Sequence, residues 1–326
     1  MELFDSLKFK IVRRGIRIAF PEATDTRILS AVARLKGEEL VEPILIGNRE
    51  EIEKAAAVRG INISNMTIYD PNDCARWEEI VEAFVERRKG KVTREQAEVL
   101  LKDENYFGTM LTQMGITDGL VSGAIHSTGD TVRPALQIIK TKPGISRTSG
   151  AFLMMRGNEQ EKYLFSDCAI NVSPNPQELA EIAVASAETA KMFDIDPKIA
   201  MLSFSSHGSA KAPEADATIE ATRIAKELAP DLAIDGELQF DAAYNQSVAQ
   251  LKAPESEVAG KANVYIFPDL QSGNIGYKIA QRLGNFEAIG PILQGLNKPI
   301  SDLSRGCNEE DVYKLTIITA AQALNN

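Results

Sequence analysis

The chain has 326 residues, of which 44% are hydrophobic and 25% charged, and its formal net charge is −10. This length is sufficient for two domains with sizeable cores, and the composition excludes a disordered or fibrous chain. The negative charge disfavours nucleic acid and anionic membranes as partners, because both bind through electropositive surfaces.

Strand-like and helical segments alternate along the chain. IRIAFPEATD precedes TRILSAVARL, and EPILIGN precedes REEIEKAAAV. The alternation recurs at GLVSGAI, at KIAMLSFSSHGSA before a helix over 216–228, and at NVYIFPDLQSG before NIGYKIAQRL. This pattern predicts βαβ units and an α/β fold with a mainly parallel sheet.

Two segments predict boundaries between lobes. TKPGISRTS, which contains Pro143 and Gly144, separates a sheet-like stretch, ALQIIK, from a strand at AFLMM. A second crossing is expected near IGPILQGLNKPISDL. We therefore expect a first lobe of residues 1–143 with 294–326 and a second lobe of 144–293, with loops from both lining a cleft.

No secretory signal is evident at the amino terminus, and no stretch reaches the roughly 18 apolar residues of a membrane span. The three cysteines, Cys74, Cys168 and Cys307, are odd in number and lack metal-ligand spacing. They predict reduced thiols and a cytoplasmic protein without a tightly bound metal.

One candidate site is the loop GAIHSTGDTVRP, which follows an apolar strand. Backbone N–H groups and the hydroxyls of Ser127, Thr128 and Thr131 suit an anion, and Arg133 adds a planar charge. The alternative is an ordinary turn into a helix with Arg133 solvated.

A second candidate is PDLQSGN, in which Ser272 or Asn274 is expected to cap the following helix and create an anion site. Capping alone also explains both residues. The loop SFSSHGSAK suits a phosphate or pantetheine path, but a surface turn explains it nearly as well, and His207 is expected to be incidental.

The third candidate is LSRGCNEED. Asn308 and Asp311 have the spacing of a helix cap. Asp311 shares a helical stripe with Leu315 and Ile318, so its side chain is expected to turn inward. An acid held beside Ser304 and Arg305 is a candidate for chemistry.

Motifs for nucleotide-driven phosphorylation, zinc proteolysis and serine hydrolysis are absent: there is no G-x-x-x-x-G-K-[ST], H-E-x-x-H or G-x-S-x-G, and no G-x-G-x-x-G after a strand. Four segments taken together, HSTGDTVRPALQIIKT, MLSFSSHGSAK, FPDLQSGNIGYK and DLSRGCNEEDV, resemble the motif series of phosphotransacetylases, in the phosphate acetyl/butyryltransferase family. The resemblance covers essentially the whole chain.

The resemblance implies a two-lobe isocitrate dehydrogenase-like fold with an active site in the interlobe cleft, and a homodimer with its contacts on the second lobe. It implies transfer of acetyl between acetyl phosphate and coenzyme A (CoA) through a ternary complex, without an acyl enzyme. CoA would be a co-substrate, and the partners would be the small molecules CoA, acetyl phosphate and phosphate.

The resemblance also assigns roles to residues. The base falls on Asp311, the oxyanion-stabilising hydroxyl on Ser304 and the phosphate-binding arginine on Arg305. CoA-contacting arginines fall on Arg133 and on Arg87, although FVERRKGKVT departs from the usual pattern there. An ordinary aspartate is about 4.6 pKa units more acidic than a thiol, so we expect arginines near the sulfur to assist the base.

Three alternatives remain at this point. A phosphate butyryltransferase would share every motif, and a hydride-transferring dehydrogenase could share the fold. A non-catalytic acetyl-CoA-sensing module, as found fused to malic enzymes, would share the motifs without the reaction. Cys307 is expected to pack rather than to act as a nucleophile, because no histidine lies near it in the sequence.

Overall fold

A computed structural model describes residues 3–157 and 161–324. The chain divides into two compact units, a first unit of Met1–Lys142 with Leu296–Asn326 and a second unit of Pro143–Gly295. The chain leaves the first unit at a turn with Pro143 and Gly144, and it returns at Gly295, which has a positive φ of 79°. Within the described ranges, no helix has the length and apolar character needed to cross a membrane.

The described residues form eleven strands, numbered in chain order. They are β1 (Arg17–Phe20), β2 (Glu42–Ile46), β3 (Thr67–Tyr69), β4 (Gly119–Ser122), β5 (Ser149–Arg156), β6 (Glu161–Ser166), β7 (Lys198–Leu202), β8 (Ala233–Leu238), β9 (Val264–Ile266), β10 (Glu287–Gln294) and β11 (Ile300–Asp302).

Thirteen α-helices and one π-helical turn, Ala135–Ile139, complete the part of the chain that is described. The helices are α1 (Leu3–Ile11), α2 (Thr26–Gly37), α3 (Arg49–Val58), α4 (Trp77–Arg88), α5 (Arg94–Leu100), α6 (Glu104–Gln113), α7 (Thr128–Pro134), α8 (Pro176–Met192), α9 (Pro213–Leu228), α10 (Phe240–Tyr244), α11 (Gln246–Lys252), α12 (Leu270–Leu283) and α13 (Glu309–Leu324).

The sheet of the first unit is wholly parallel, in the order β3-β2-β1-β4-β11. Helices cover both faces: Leu120 of β4 lies against α6 at Gly108, whereas the adjacent Gly119 faces Thr319 of α13. The strand order reverses between β1 and β4. In such sheets the loops at the carboxyl ends diverge at the reversal, and ligands bind there.

The second unit has a mixed sheet in the order β10-β5-β6-β9-β7-β8. The β10-β5-β6 pairs are antiparallel, and the remaining pairs are parallel. Its core joins several alanines of the α10–α11 region to aromatic side chains, including Phe152, Phe165 and Tyr265. The α/β class with mainly parallel strands, expected from the alternating pattern, is thereby confirmed.

The expectation that ALQIIK is sheet-like is wrong. Helix α7 continues directly into the π-helical turn Ala135–Ile139. Pro134 lacks an N–H and its ring crowds the carbonyl four residues earlier, and a locally wider helix relieves that conflict. Ala135, Ile138 and Ile139 are buried at helical spacing in a region that packs against α6.

Gly123, just after β4, tests how closely the segments that follow β4 and β11 approach each other. Its φ is +107°, and a Cβ there would lie 2.5 Å from Asp302 Oδ1 and from both the N and O atoms of Leu303. We predict that Gly123→Ala lowers the free energy of unfolding by more than about 3 kcal/mol, because backbone strain and overlap add.

Gly15→Ala is the matched control, since Gly15 also has a positive φ, +66°, but has nothing within 4 Å of the place that a methyl group would occupy. It should lose only about 1 kcal/mol. Equal losses for the two variants in urea denaturation would contradict the close approach of the segments that follow β4 and β11.

Candidate active site

Three loops meet at the carboxyl ends of adjacent parallel strands in the first unit. We call them the β1 loop (residues 21–25), the β4 loop (123–127) and the β11 loop (303–308). Since β4 pairs with both β1 and β11, the three loops are neighbours at the reversal of strand order. The β4 and β11 loops carry the candidates Ser127, Ser304 and Arg305.

Glu22 in the β1 loop holds the β4 loop. Its buried carboxylate accepts hydrogen bonds from the backbone N–H groups of Ala124, Ile125 and His126 at 2.7 to 2.9 Å, and the His126 ring Nδ1 lies 2.8 Å away. Burial raises the pKa of Glu22, but these hydrogen bonds outweigh burial and lower it overall, while Glu22 raises the pKa of His126. Glu22 is therefore an ionised anchor.

Arg27, at the start of α2, joins all three loops. Asp25 fixes its guanidinium through Nε at 3.0 Å and NH2 at 2.8 Å. NH2 also donates to Ala124 O at 2.8 Å, and NH1 donates to the carbonyls of Arg305 and Cys307, both at 3.0 Å. One planar group thus sets the backbone of the β4 and β11 loops together.

Glu22, Arg27 and His126 were not among the site residues predicted from the sequence. Apart from Asp25, their partners are about 100 to 280 residues away along the chain, so no local pattern marks them. One signal was available: PEATDTR follows the first predicted strand directly, and loops in that position of a parallel sheet commonly line a ligand site.

The β11 loop leaves reactive groups free. The Ser304 hydroxyl accepts a hydrogen bond from Gly306 N at 3.3 Å and keeps its own proton available for donation. Arg305 is exposed, and its guanidinium donates no hydrogen bond to the described residues. Both side chains are therefore open to a ligand.

Asn308 and Asp311 form the expected cap of α13. Asp311 N donates to Asn308 Oδ1 at 3.0 Å, and Asn308 N donates to Asp311 Oδ2 at 2.9 Å, so this prediction is confirmed. Asp311 is half-buried, while Leu315 and Ile318 on its stripe are buried. Asp311 Oδ1 has no partner among the described residues, so one carboxylate oxygen remains available.

Cys307 lies inside the same loop but is a poor nucleophile. It is buried, and its Sγ lies 3.6 Å from Arg27 NH1. Burial raises the pKa of its thiol to about 11, against a smaller lowering by Arg27. A thiol that stays protonated at neutral pH fits the expected packing role.

The β4 loop and α7 hold the next group of candidates. The Ser127 hydroxyl donates to Asp130 Oδ2 at 2.6 Å and so is engaged in closing the first turn of α7. Thr128 is exposed, and so is Arg133, whose guanidinium makes no hydrogen bond within the described ranges. Of these three, Arg133 is the freest to meet an anion.

Arg87 is engaged by the protein itself. Its Nε and NH2 donate to the carbonyls of Ile138 and Ile139 at 2.6 and 2.9 Å, closing the end of the π-helical turn. The adjacent Arg88 donates to Gln137 O at 3.1 Å and lines an open groove of about 620 Å³. Lys91, Tyr106 and Gln137 line the same groove.

This groove carries a local positive charge in an acidic protein. Slight burial and the neighbouring cations Arg87, Lys89, Lys91 and Arg88 all lower the pKa of Lys140. Arg133 also acts on this region: burial raises the pKa of Tyr106, which lines the groove, and the charge of Arg133 opposes that rise. The cluster is therefore suited to a large anionic ligand.

Ser272 and Asn274 lie in the second unit, and the expectation that one of them caps the following helix is wrong. Helix α12 begins at Leu270, and Asp269 is its cap, accepting from Ser272 N at 2.7 Å. The Ser272 hydroxyl donates to Asp269 O at 2.9 Å, and Asn274 Nδ2 donates to Cys168 O at 3.2 Å. An aspartate in extended backbone just after β9 is the better acceptor, so the helix starts earlier.

The turn from Ser203 to Lys211 is built around buried Glu237. Glu237 Oε1 accepts from the Ser205 hydroxyl at 2.7 Å and from Gly208 N at 2.8 Å. His207 lies 3.2 Å from Asp235 through Nε2. His207 therefore pairs with an acid, and no hydrogen bond joins its ring to a serine of this turn among the described residues.

Asp302, the last residue of β11, is an acid that was not predicted as a site residue from the sequence. It is 1% exposed, and neither carboxylate oxygen has a hydrogen-bond partner in the part of the chain described. Burial raises its pKa to about 6; the nearby hydroxyls of Thr128 and Thr131 lower it slightly, and Glu22 raises it further. The hydroxyls approach without reaching hydrogen-bond geometry, since Thr131 Oγ1 also lacks a partner.

Residues 3–157 and 161–324 contain no group of three or more His, Cys, Asp or Glu side chains placed to hold a metal ion. A hydroxyl and an arginine on the β11 loop and a carboxylate in the first turn of α13 are groups suited to an anionic substrate. The family model described as Phosphate acetyl/butaryl transferase matches residues 3–320, and the chain belongs to this family. It is therefore an acyltransferase.

Particular relatives agree with this assignment. The phosphate acetyltransferase of Bacillus subtilis (strain 168) is 61% identical over 323 residues, which cover 99% of both chains. The structure of a phosphotransacetylase from Streptococcus pyogenes superposes with a TM-score of 0.97 at 64% identity, covering 99% of this chain and 98% of that one. The EutD phosphotransacetylase from Staphylococcus aureus gives 0.93 at 54% identity, covering 98% of each.

These findings confirm the family resemblance, the fold class and the acyltransferase class. They also remove the hydride-transferring dehydrogenase as an alternative, because the family model matches nearly the whole chain. They do not test the role of any single side chain, so the assignments of Ser304, Arg305 and Asp311 stay predictions.

Asp302 should make stability fall as pH rises. In the folded protein its pKa is about 6 instead of the ordinary 3.8, so the unfolded chain loses its proton first. The free energy of unfolding therefore falls as the pH rises from about 4 to about 6, and above pH 6 the total loss is about 3 kcal/mol. We predict that Asp302→Asn is more stable than the wild type at pH 7.5 and similar to it at pH 4.

Chemical denaturation at both pH values measures this difference. For each pH, the stability of Asp302→Asn is compared with that of the wild type. If this difference favours the variant less at pH 7.5 than at pH 4, a buried unpaired carboxylate at this position is contradicted.

Proposed function

We propose that this chain is a phosphate acetyltransferase, which transfers acetyl reversibly between acetyl phosphate and CoA. The observation that carries the proposal is the β11 loop. Its Ser304 hydroxyl and Arg305 guanidinium are free, as is Oδ1 of Asp311 in the first turn of α13, while Arg27 and Asn308 hold the surrounding backbone. The names of the relatives at 54% to 61% identity support the acetyl group.

In the proposed mechanism the CoA sulfur attacks the acetyl carbonyl carbon while Asp311 accepts the thiol proton. Ser304 donates a hydrogen bond to the carbonyl oxygen as it gains negative charge. The bond between carbon and phosphate oxygen then breaks, and phosphate leaves toward Arg305. A thioester and phosphate form directly, through a ternary complex and without an acyl enzyme.

Asp311 needs help in this reaction. An ordinary aspartate is about 4.6 pKa units more acidic than a thiol, or roughly 6 kcal/mol for complete proton transfer. A free guanidinium at Arg305 and a second at Arg133 would favour the thiolate and narrow that difference. Cys307 is not required, since its thiol is buried and stays protonated.

CoA is the co-substrate in this proposal, and the basic groove is where its phosphorylated nucleotide end would bind. Arg88 and Lys91 line the groove, and Arg133 lies on α7 near Tyr106. Arg87 supports the groove through its bonds to Ile138 and Ile139, and its outer N–H groups can still face a phosphate. Ser127, Thr128, Ser272 and Asn274 remain candidates for substrate contact.

The reaction is tested by mixing the protein with CoA and acetyl, propionyl or butyryl phosphate and following thioester formation. We expect the fastest turnover with acetyl phosphate. Preference for butyryl phosphate would establish a phosphate butyryltransferase instead. Binding of acetyl-CoA without turnover of any acyl phosphate would indicate a non-catalytic sensing module.

Asp311→Asn removes the proposed base while keeping the size of the side chain. We predict a fall in kcat of about 10²- to 10⁴-fold, the range for loss of a general base. Cys307→Ala is the control inside the same loop and should keep near-normal kcat. Near-normal turnover of Asp311→Asn would show that Asp311 is not the base. Detection of acetylated Cys307 in a digest of the wild-type protein would show that the reaction passes through an acyl enzyme instead of a direct transfer.

We also propose a cytoplasmic homodimer. The three cysteines are unpaired thiols, which suits a reducing compartment.

The dimer surface is proposed on α12. An apolar stripe at four-residue spacing consists of Ile275, Ile279 and Leu283, with exposures of 57%, 53% and 82%. The stripe borders an aromatic groove of about 460 Å³ that is lined by Ile279 and by Tyr163, Phe240 and Phe286, among others. A second copy of the second unit would bury this surface.

Leu283→Glu tests the dimer. We predict that the wild type elutes at twice the chain mass in light-scattering chromatography and that Leu283→Glu shifts toward the monomer. Val58→Glu, at a 76% exposed position of α3 in the first unit, should leave the dimer intact. A wild-type monomer, or equal masses for all three proteins, would rule out this surface.

A further inference from the structure

Asp302 is a buried acid for which the proposed mechanism has no use. Its carboxyl group is 1% exposed, and neither oxygen accepts a hydrogen bond from the described residues. No lysine, arginine or histidine in those ranges forms an ion pair with it. Buried carboxylates are normally paired or hydrogen-bonded, so an unpartnered one indicates a specific role.

The position of Asp302 connects the two segments that carry the anion-binding candidates. It stands two residues before Ser304 and contacts Gly123 of the β4 loop so closely that a methyl group there would overlap Oδ1. The hydroxyls of Thr128 and Thr131, on α7, lie close enough to act on its carboxyl group. A change at Asp302 therefore reaches both the β11 loop and α7.

The charged groups around Asp302 offer no compensation. Glu22, from the β1 loop, adds negative charge and is already paired with His126 of the β4 loop. Of the helices that pack against β11, α7 carries Asp130 and Arg133 and α13 carries Asp311, and none of these side chains forms an ion pair or hydrogen bond with Asp302 in the described ranges. The acid thus adjoins a site for anions without a cation of its own.

We propose that Asp302 is a positioning residue that takes up a proton from solvent when the anionic substrate binds at the β11 loop. A phosphate group held by Ser304 and Arg305 brings further negative charge toward a buried carboxylate. In such surroundings two like charges disfavour each other, and the carboxyl group becomes neutral. The inference rests on the proposed function, because acetyl phosphate supplies the anion.

The neutral acid can also bond to a buried group that the structure leaves without a partner. A neutral Asp302 carries an O–H, and the Thr131 hydroxyl oxygen beside it is buried without a partner. A hydrogen bond between them would join β11 to α7 while substrate is bound. Substrate binding and proton binding are linked. If bound substrate favours the protonated acid, then the affinity for substrate must fall as the acid ionises.

The test is the pH dependence of KM for acetyl phosphate between pH 5 and pH 8 in wild type, Asp302→Asn and Glu104→Gln. The substrate's own titration is the same for all three proteins. We expect the wild-type KM to rise by about tenfold, with kcat changing less, and the Asp302→Asn KM to stay nearly flat at the low-pH value. Glu104→Gln removes another carboxylate of the first unit whose pKa is raised by burial, and it should keep the wild-type slope.

Equal slopes for the wild type and Asp302→Asn would overturn the inference. A flat wild-type profile would also overturn it, and that measurement does not depend on whether a variant folds. Absence of all turnover would instead count against the proposed function. In that case the probe is inorganic phosphate, and the readout is its stabilisation against heat at pH 5.5 and 7.5. Loss of stabilisation at the higher pH in the wild type but not in Asp302→Asn supports the inference, and equal changes contradict it.

Discussion

Glu22 and Arg27 hold the active-site loops in place through hydrogen bonds to the loop backbone, and the other features of the site depend on these two residues. Glu22 accepts three backbone N–H groups of the β4 loop, and Arg27 donates to carbonyls of both the β4 and the β11 loops. Buried loop backbone needs such partners, because no sheet or helix supplies them. Two side chains that follow β1 thus satisfy the loops that follow β4 and β11.

This division of tasks explains why the reactive groups are free. The backbone of the β11 loop is held by Arg27, and the start of α13 by Asn308, so Ser304, Arg305 and one oxygen of Asp311 need no internal partner. Preorganised groups of this kind stabilise developing charge without rearranging at the moment of reaction. Asp302 is the exception, since it is buried and unsatisfied, and its destabilising effect is consistent with a functional role.

Local patterns in the sequence predicted the alternating fold, the loops at strand ends and the Asn308–Asp311 cap, because each depends on residues close together in the chain. The ALQIIK segment failed because β-branched apolar residues suit a strand and a buried helix equally, and only the packing against α6 decides between them. Asp269 was overlooked as a cap because the helix start was placed four residues too late. Glu22, Arg27 and Asp302 act through partners far away along the chain, where spacing carries no signal.

The central claim is direct transfer between acetyl phosphate and CoA at the β11 loop. It is tested most directly by exchange of isotopically labelled phosphate into acetyl phosphate, measured with and without CoA. Direct transfer predicts exchange only when CoA is present, because phosphate can leave only after the thiol has attacked. Rapid exchange in the absence of CoA would show that an acetylated enzyme forms, and it would contradict the ternary complex.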